Sequence, residues 1–157
     1  MNEAEILDYL TTQGIDYEYQ RHPAVLTMDE AERLALPHPE CEARNLFVRE
    51  SRTHRLTAHA RVDLKAFSRQ QGLRSLSFAS ADELREILWL ETGAVTPLAL
   101  LNAPDVTLYL DEALLGGRIA VHPNTNTATV WLQTADLVHL LHARGVPVTV
   151  VPFPCLS

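Results

Sequence analysis

Two stretches of this chain combine residue types that could do chemistry, and both lie between Gly93 and Thr129. The first runs Gly93, Ala94, Val95, Thr96, Pro97 and on through Leu98-Ala99-Leu100-Leu101-Asn102. Gly93 permits a sharp bend and lets a ligand approach bare backbone. Thr96 suits the N-cap of a short helix, and Pro97 its first position, where no amide hydrogen is needed. Free N–H groups at such a loop and helix start attract a phosphate, a carboxylate or a developing oxyanion. The second stretch places His122 at the end of the apolar run Ile119-Ala120-Val121, followed by Pro123-Asn124-Thr125-Asn126-Thr127-Ala128-Thr129. An imidazole there can accept, donate or position a proton near neutral pH, although a lone histidine at a strand end is more often structural.

Other routes to catalysis find no support. The chain has no Gly-x-Ser-x-Gly elbow, no His-Glu-x-x-His, no Cys-x-x-Cys and no Gly-x-x-x-x-Gly-Lys. His139 and His142 are three apart on a predicted helix, but no cysteine or carboxylate partner is identifiable, so neither a metal nor another cofactor is expected. His22, His38, His54 and His59 are scattered and individually uninformative.

Predicted elements must hold these two stretches in place. Asn2 with Glu5 reads as a capping box for a helix striped by Ile6, Leu7 and Leu10 and closed by Gly14. Residues 15–19 alternate as a strand that His22-Pro23 ends. Thr27 to Glu30 forms a second capping box, opening a helix to about Leu36. Residues 44–49 and 55–60 read as paired strands, and Asp63 caps a helix carrying Lys65 and ending at Gly72. Ser77-Phe78 is a short extended piece. Ser80 and Glu83 form another box, with Leu84, Ile87 and Leu88 as its buried stripe. Strands follow over 106–110, 118–121, 128–132 and 148–151, with a helix from a Thr134 cap through Arg144 before the last of them. The expected class is α+β: one domain over residues 1–157, with a central mixed, largely antiparallel sheet and helices packed around it.

Size and charge agree with this. A chain of 157 residues with 46% apolar content suits one soluble domain with a real core. No run of about 18 uncharged apolar residues suggests a membrane span, and the acidic N-terminus lacks a signal core. Cys41 and Cys155 have no metal or redox spacing, so free thiols and a cytoplasmic location are expected. The net charge of −7 argues against bulk nucleic-acid binding. Yet Arg44, Arg49, Arg52, Arg55, Arg61, Lys65, Arg69 and Arg74 face only Glu50 and Asp63 in the same stretch. Such a stripe fits the end of an RNA, and equally a solvated face.

The two stretches together resemble the YbaK/prolyl-tRNA synthetase-associated editing family, nearest its free-standing alanyl-tRNA(Pro) deacylases. The resemblance rests on Gly-x-Val-Thr-Pro-Leu-x-Leu-Leu-Asn followed by His-Pro-x-x-Asn-Thr-Ala-Thr. It extends through His22-Pro23 with Thr27, Asn45-Leu46-Phe47 and Asp63-Leu64-Lys65. It implies a hydrolase that cleaves the ester joining alanine to the terminal ribose of mischarged tRNA(Pro), substrate-assisted, with backbone stabilisation of the oxyanion and a size-excluding pocket. The implied partner is the acceptor end of tRNA(Pro), with prolyl-tRNA synthetase or an elongation factor as further candidates and no membrane or DNA. It implies Gly93, His122 and Arg44 as the catalytic set. Substrate-binding residues by the same token are Leu26, Thr27, Met28, Asn45, Ala94, Val95, Thr96, Pro97, Asn126 and Thr127. One departure stands out: the family usually has Lys where this chain has Arg44, which keeps the charge and changes its geometry. That departure leaves open a catalytically silent aminoacyl-tRNA or amino-acid binding module. A deacylase for cysteine or serine is the other alternative.

Overall fold

The structure is a computed structural model that describes residues 1–24, 44–50, 53–59, 64–74, 76–91 and 93–153. Helix α1 (Glu3–Thr12) starts where expected, because Asn2 and Glu5 cap each other: the Glu5 amide donates to Asn2 Oδ1 at 2.9 Å and the Asn2 amide to Glu5 Oε1 at 3.2 Å. Gly14 supplies the left-handed exit at φ +71°. Strand β1 (Tyr17–Arg21) follows, then β2 (Arg44–Glu50), β3 (Thr53–His59), α2 (Leu64–Gln70) and β4 (Leu76–Phe78). The second predicted capping box, at Thr27, falls outside the described residues, as do Leu26 and Met28.

The Ser80 box also forms, with the Glu83 amide on Ser80 Oγ and the Ser80 amide on Glu83 Oε1, both at 3.1 Å. It opens only a single turn, α3 (Ala81–Glu83), which widens into a π-helical stretch over Leu84–Leu88. Trp89 closes that stretch in the left-handed conformation, φ +62° and ψ +34°. The segment after Pro97 is a 3-10 helix, Pro97–Asn102, and every residue from Pro97 to Leu101 is buried. Strands β5 (Thr107–Asp111), β6 (Arg118–Val121) and β7 (Ala128–Gln133), helix α4 (Thr134–Ala143) and β8 (Val148–Val151) complete the chain. Thr134 does not cap α4 as expected. It is the first helical residue, and its buried hydroxyl has no hydrogen-bond partner.

The mixed α+β class holds, but the strands divide between two sheets where one was expected. β1-β7-β6 is antiparallel throughout; β4-β2-β3-β5-β8 is antiparallel across β4-β2-β3 and parallel across β3-β5-β8. One core joins them. Ile119, Val121, Val130 and Leu132 from the first sheet meet Phe47, Leu108 and Leu110 from the second, with Ile6 and Leu10 of α1, Leu140 of α4 and Leu98 of the 3-10 helix. The outer face of the larger sheet carries its own cluster, in which Phe67 of α2 packs edge-on to Tyr109 at 5.2 Å and stacks with Phe153 at 4.8 Å. The outer face of the smaller sheet buries Trp131 against Ala120.

Candidate active site

The site begins with the central strand of the smaller sheet. β7 lies between β1 and β6, and its entry, Thr127 to Thr129, is gripped by a histidine from each neighbour's end. From β6, His122 turns back so that its Nδ1–H donates to the carbonyl of Ala128 at 2.9 Å. From β1, the His22 amide donates to Thr127 O at 3.0 Å, and its ring reaches Thr129 Oγ1 through Nε2 at 2.8 Å. His22 Nδ1–H donates to its neighbour's carbonyl, Pro23 O, at 2.8 Å. The two ring centroids are 6.3 Å apart and tilted by 57°.

These contacts fix the tautomers, since a carbonyl oxygen can only accept. His122 must carry its proton on Nδ1, and among the described residues its Nε2 lone pair has no donor, so it can take a proton or hold a water. Burial of the ring is the largest influence on its pKa and pushes it below the usual histidine value; the Ala128 carbonyl acts the other way, and the charge of His22 adds to the lowering. The imidazole is therefore neutral at physiological pH, which is the form that can act as a base. His22 Nε2 lies 2.8 Å from the Thr129 hydroxyl, which is itself buried.

The loop between β6 and β7 is held by its own polar residues. Asn124 takes φ +61° and donates through Nδ2 to the Met1 carbonyl at 2.7 Å, tying the loop to the chain start. Its Oδ1 is buried with no partner. Thr125 Oγ1 accepts from the Thr127 amide at 3.3 Å and lies 2.9 Å from the Thr127 hydroxyl. Asn126 is half-buried and Thr127 exposed.

The glycine loop is built as the sequence requires. Gly93 takes φ +91°, a conformation that side-chain-bearing residues rarely adopt. The Ala94 amide donates to Glu91 O at 3.1 Å. Thr96 caps the 3-10 helix, accepting from the Leu98 amide at 3.3 Å through Oγ1 and from the Ala99 amide at 3.2 Å through its carbonyl. Ala94, Thr96 and Pro97 are buried and Val95 packs part of its side chain on the main core. The amides of Gly93 and Val95 find no acceptor among the described residues.

Of the remaining sequence candidates, Arg44 opens β2 opposite His59, and Asn45 pairs with Ala58. Asn45 shares its side of β2 with Phe47, the face turned to the main core, and its Oδ1 is buried without a hydrogen-bond partner. In the basic stripe, Arg49 pairs with Glu83 at 3.6 Å, while Lys65 and Arg69 are exposed on α2. Sequence reasoning passed over His22 as one of several scattered histidines. Its signal was the adjoining Pro23 in the resemblance, but 107 positions separate it from Thr129 and only the sheet brings them together.

A family model described as the aminoacyl-tRNA editing domain matches residues 22–140, a segment that begins at this histidine and contains the glycine loop and His122. The chain belongs to the aminoacyl-tRNA editing domain family. It is accordingly an aminoacyl-tRNA deacylase. Among relatives of this editing domain, the prolyl-tRNA editing protein ProX of Acetoanaerobium sticklandii is 37% identical over 139 residues, covering 83% of this chain and 85% of its own. Prolyl-tRNA synthetase associated domain-containing protein 1 of Danio rerio is 32% identical over 150 residues, covering 87% of this chain and 79% of its own. The fold matches a solved structure reported as a candidate trans-editing enzyme for prolyl-tRNA synthetase, with a TM-score of 0.73 at 23% identity over 98% of this chain and 97% of that one. No helix among the described residues of this editing domain is long and apolar enough to cross a membrane.

Proposed function

We propose that this deacylase is a trans-editing enzyme for alanine mischarged on tRNA(Pro), with residues 1–157 acting as one editing domain. The observation that carries the reading is His122, held neutral with Nδ1–H on Ala128 O and with no partner on Nε2 among the described residues. The ester it would act on is already activated, so no nucleophile of the protein is required. A water attacks the ester carbonyl carbon, the bond to the ribose oxygen breaks, and that oxygen takes up a proton to leave free alanine and tRNA. The ribose hydroxyl beside the ester assists by holding the water, and His122 positions it or the aminoacyl group. The Gly93 and Val95 amides stabilise the oxyanion that develops on the carbonyl oxygen. Arg44 would hold the tRNA terminus. Asn45, Thr96 and Pro97 would support the aminoacyl end, together with Asn126, Thr127, Leu26 and Thr27.

Selectivity follows from volume. A pocket shaped for proline rejects the smaller alanine by only about 1–3 kcal/mol, so accuracy needs a second site that admits alanine and excludes proline. Ala94, Val95 and Met28 would supply its walls. The relative named as a prolyl-tRNA editing protein supports tRNA(Pro) as the carrier; prolyl-tRNA synthetase and elongation factor remain candidate partners.

Purified protein incubated with tRNA(Pro) charged with alanine, cysteine, serine or proline tests this. Alanine should be released fastest and proline left intact. Arg44→Lys should keep or raise the rate, and Arg44→Ala should abolish it. Equal cleavage of alanyl- and prolyl-tRNA(Pro) would refute the size-excluding site, and faster release of cysteine or serine would reassign the substrate.

A further inference from the structure

Trp89 is the anomaly of the fold. It is 79% exposed, while the chain's other tryptophan, Trp131, is 1% exposed. It also closes the π-helical stretch in a left-handed conformation, with its amide on Arg85 O at 3.0 Å. Glycine or asparagine ends a helix in this conformation with less strain. A tryptophan placed there gains little from burial and serves poorly as a cap, so the fold itself has no use for the indole. Strain retained at a non-glycine residue is a pointer to function.

Its position indicates which function. Trp89 precedes Gly93 by four residues, and Leu90 between them is buried in the main core, which anchors the indole's backbone. Four residues of chain reach no further than about 14 Å, so the ring stands within a few nucleotides of the loop assigned to the ester. Nearby charge selects the kind of contact. Glu86 and Glu91 are exposed, and Arg85 is tied to Asp82 at 2.9 Å, so this surface does not attract phosphate. An indole still recognises the face of a base, which is uncharged and which any nucleotide presents.

We propose that the Trp89 indole is a stacking platform for an unpaired base near the 3′ end of the aminoacyl-tRNA. The proposal rests on the editing reading above and adds a contact that holds the tRNA end while the ester sits at the Gly93 loop. The ring contributes to binding and takes no part in bond breaking.

The test uses the full-length protein, a mischarged tRNA that the wild type cleaves, and the same amino acid esterified to adenosine alone. Trp89→Gly should raise KM for the tRNA at least about fivefold, the low end for one stacked base, with kcat unchanged. Its melting temperature should be equal or higher, because glycine relieves the backbone. Trp89→Phe should restore most of the affinity, and neither variant should alter cleavage of the aminoacyl-adenosine. Uncharged tRNA should quench wild-type indole fluorescence and leave the Trp89→Phe protein, whose remaining tryptophan is buried, unchanged. An unaltered KM in Trp89→Gly overturns the proposal, as does an equal loss on aminoacyl-adenosine. Normal tRNA kinetics with lost binding to prolyl-tRNA synthetase overturns it in favour of a protein partner. If the wild type cleaves no mischarged tRNA yet the quench persists, the editing reading fails and the stacking contact stands.

Discussion

At the scale of single residues, the candidate site is shaped by what the backbone does to two imidazoles. The Ala128 carbonyl selects one tautomer of His122, and burial holds the ring uncharged. Its folded pKa lies below the ordinary value of about 6.5. The unfolded chain therefore takes up this proton first as pH falls. The resulting stabilisation is complete above the unfolded value and is lost as pH drops through the folded one. We expect kcat/KM to be flat above neutrality and to fall on the acid side with an inflection below about 6.5. His122→Ala should lose about 10²-fold in kcat/KM, abolish that inflection and flatten the acid limb of stability, as pH–rate profiles and denaturant midpoints would show. His122 was legible because its flanking Asn and Thr residues form a distinctive string. His22 was not, because its meaning depends on Thr129 across a strand pair.

At the scale of elements, the glycine loop shows how local rules and packing share the work. Thr96 and Pro97 mark a helix start in sequence, and they make one. The six residues from Pro97 to Asn102 wind as a 3-10 helix buried over nearly its whole length, where packing rather than propensity sets the geometry. Gly93→Ala would force a methyl group onto a residue at φ +91°, at about 1–3 kcal/mol of strain, and turn the neighbouring amides off their target. The expected result is a fall in kcat of about 10²-fold or more, with a smaller change in stability. Thr96→Ala should do the reverse, losing about 1 kcal/mol with the cap and lowering kcat less. Urea melts and single-turnover rates on both variants check the contrast. The same interplay explains α4: Thr134 has a capping residue's chemistry, yet the turn from β7 makes it the first helical residue and leaves its hydroxyl unsatisfied.

At the scale of the whole molecule, one core serves two sheets. Leu98 of the 3-10 helix is fully buried among residues from both, so the loop that presents the amides is anchored where the sheets meet. Leu98→Ala should cost about 2–5 kcal/mol. Because the core is shared, far-ultraviolet circular dichroism and Trp131 fluorescence should report the same shifted transition; separate transitions would show that the sheets are held independently. Alternation told which residues of a strand face inward but not which strand lies beside it. The parallel pairing of β3 with β5 and the separation of β1-β7-β6 from the larger sheet were therefore invisible in sequence.

The sequence by itself determined most of the described strands, the Asn2 and Ser80 capping boxes, the glycine loop and the family, because those rest on residue types at short spacing, where sterics and nearby hydrogen bonds decide. The tertiary structure alone decided the division into two sheets, the pairing of His22 with Thr129, the protonated nitrogen of His122 and the outward exposure of Trp89. Each of these depends on which distant strand or core residue comes alongside, and that choice is made by the free energy of packing the whole chain.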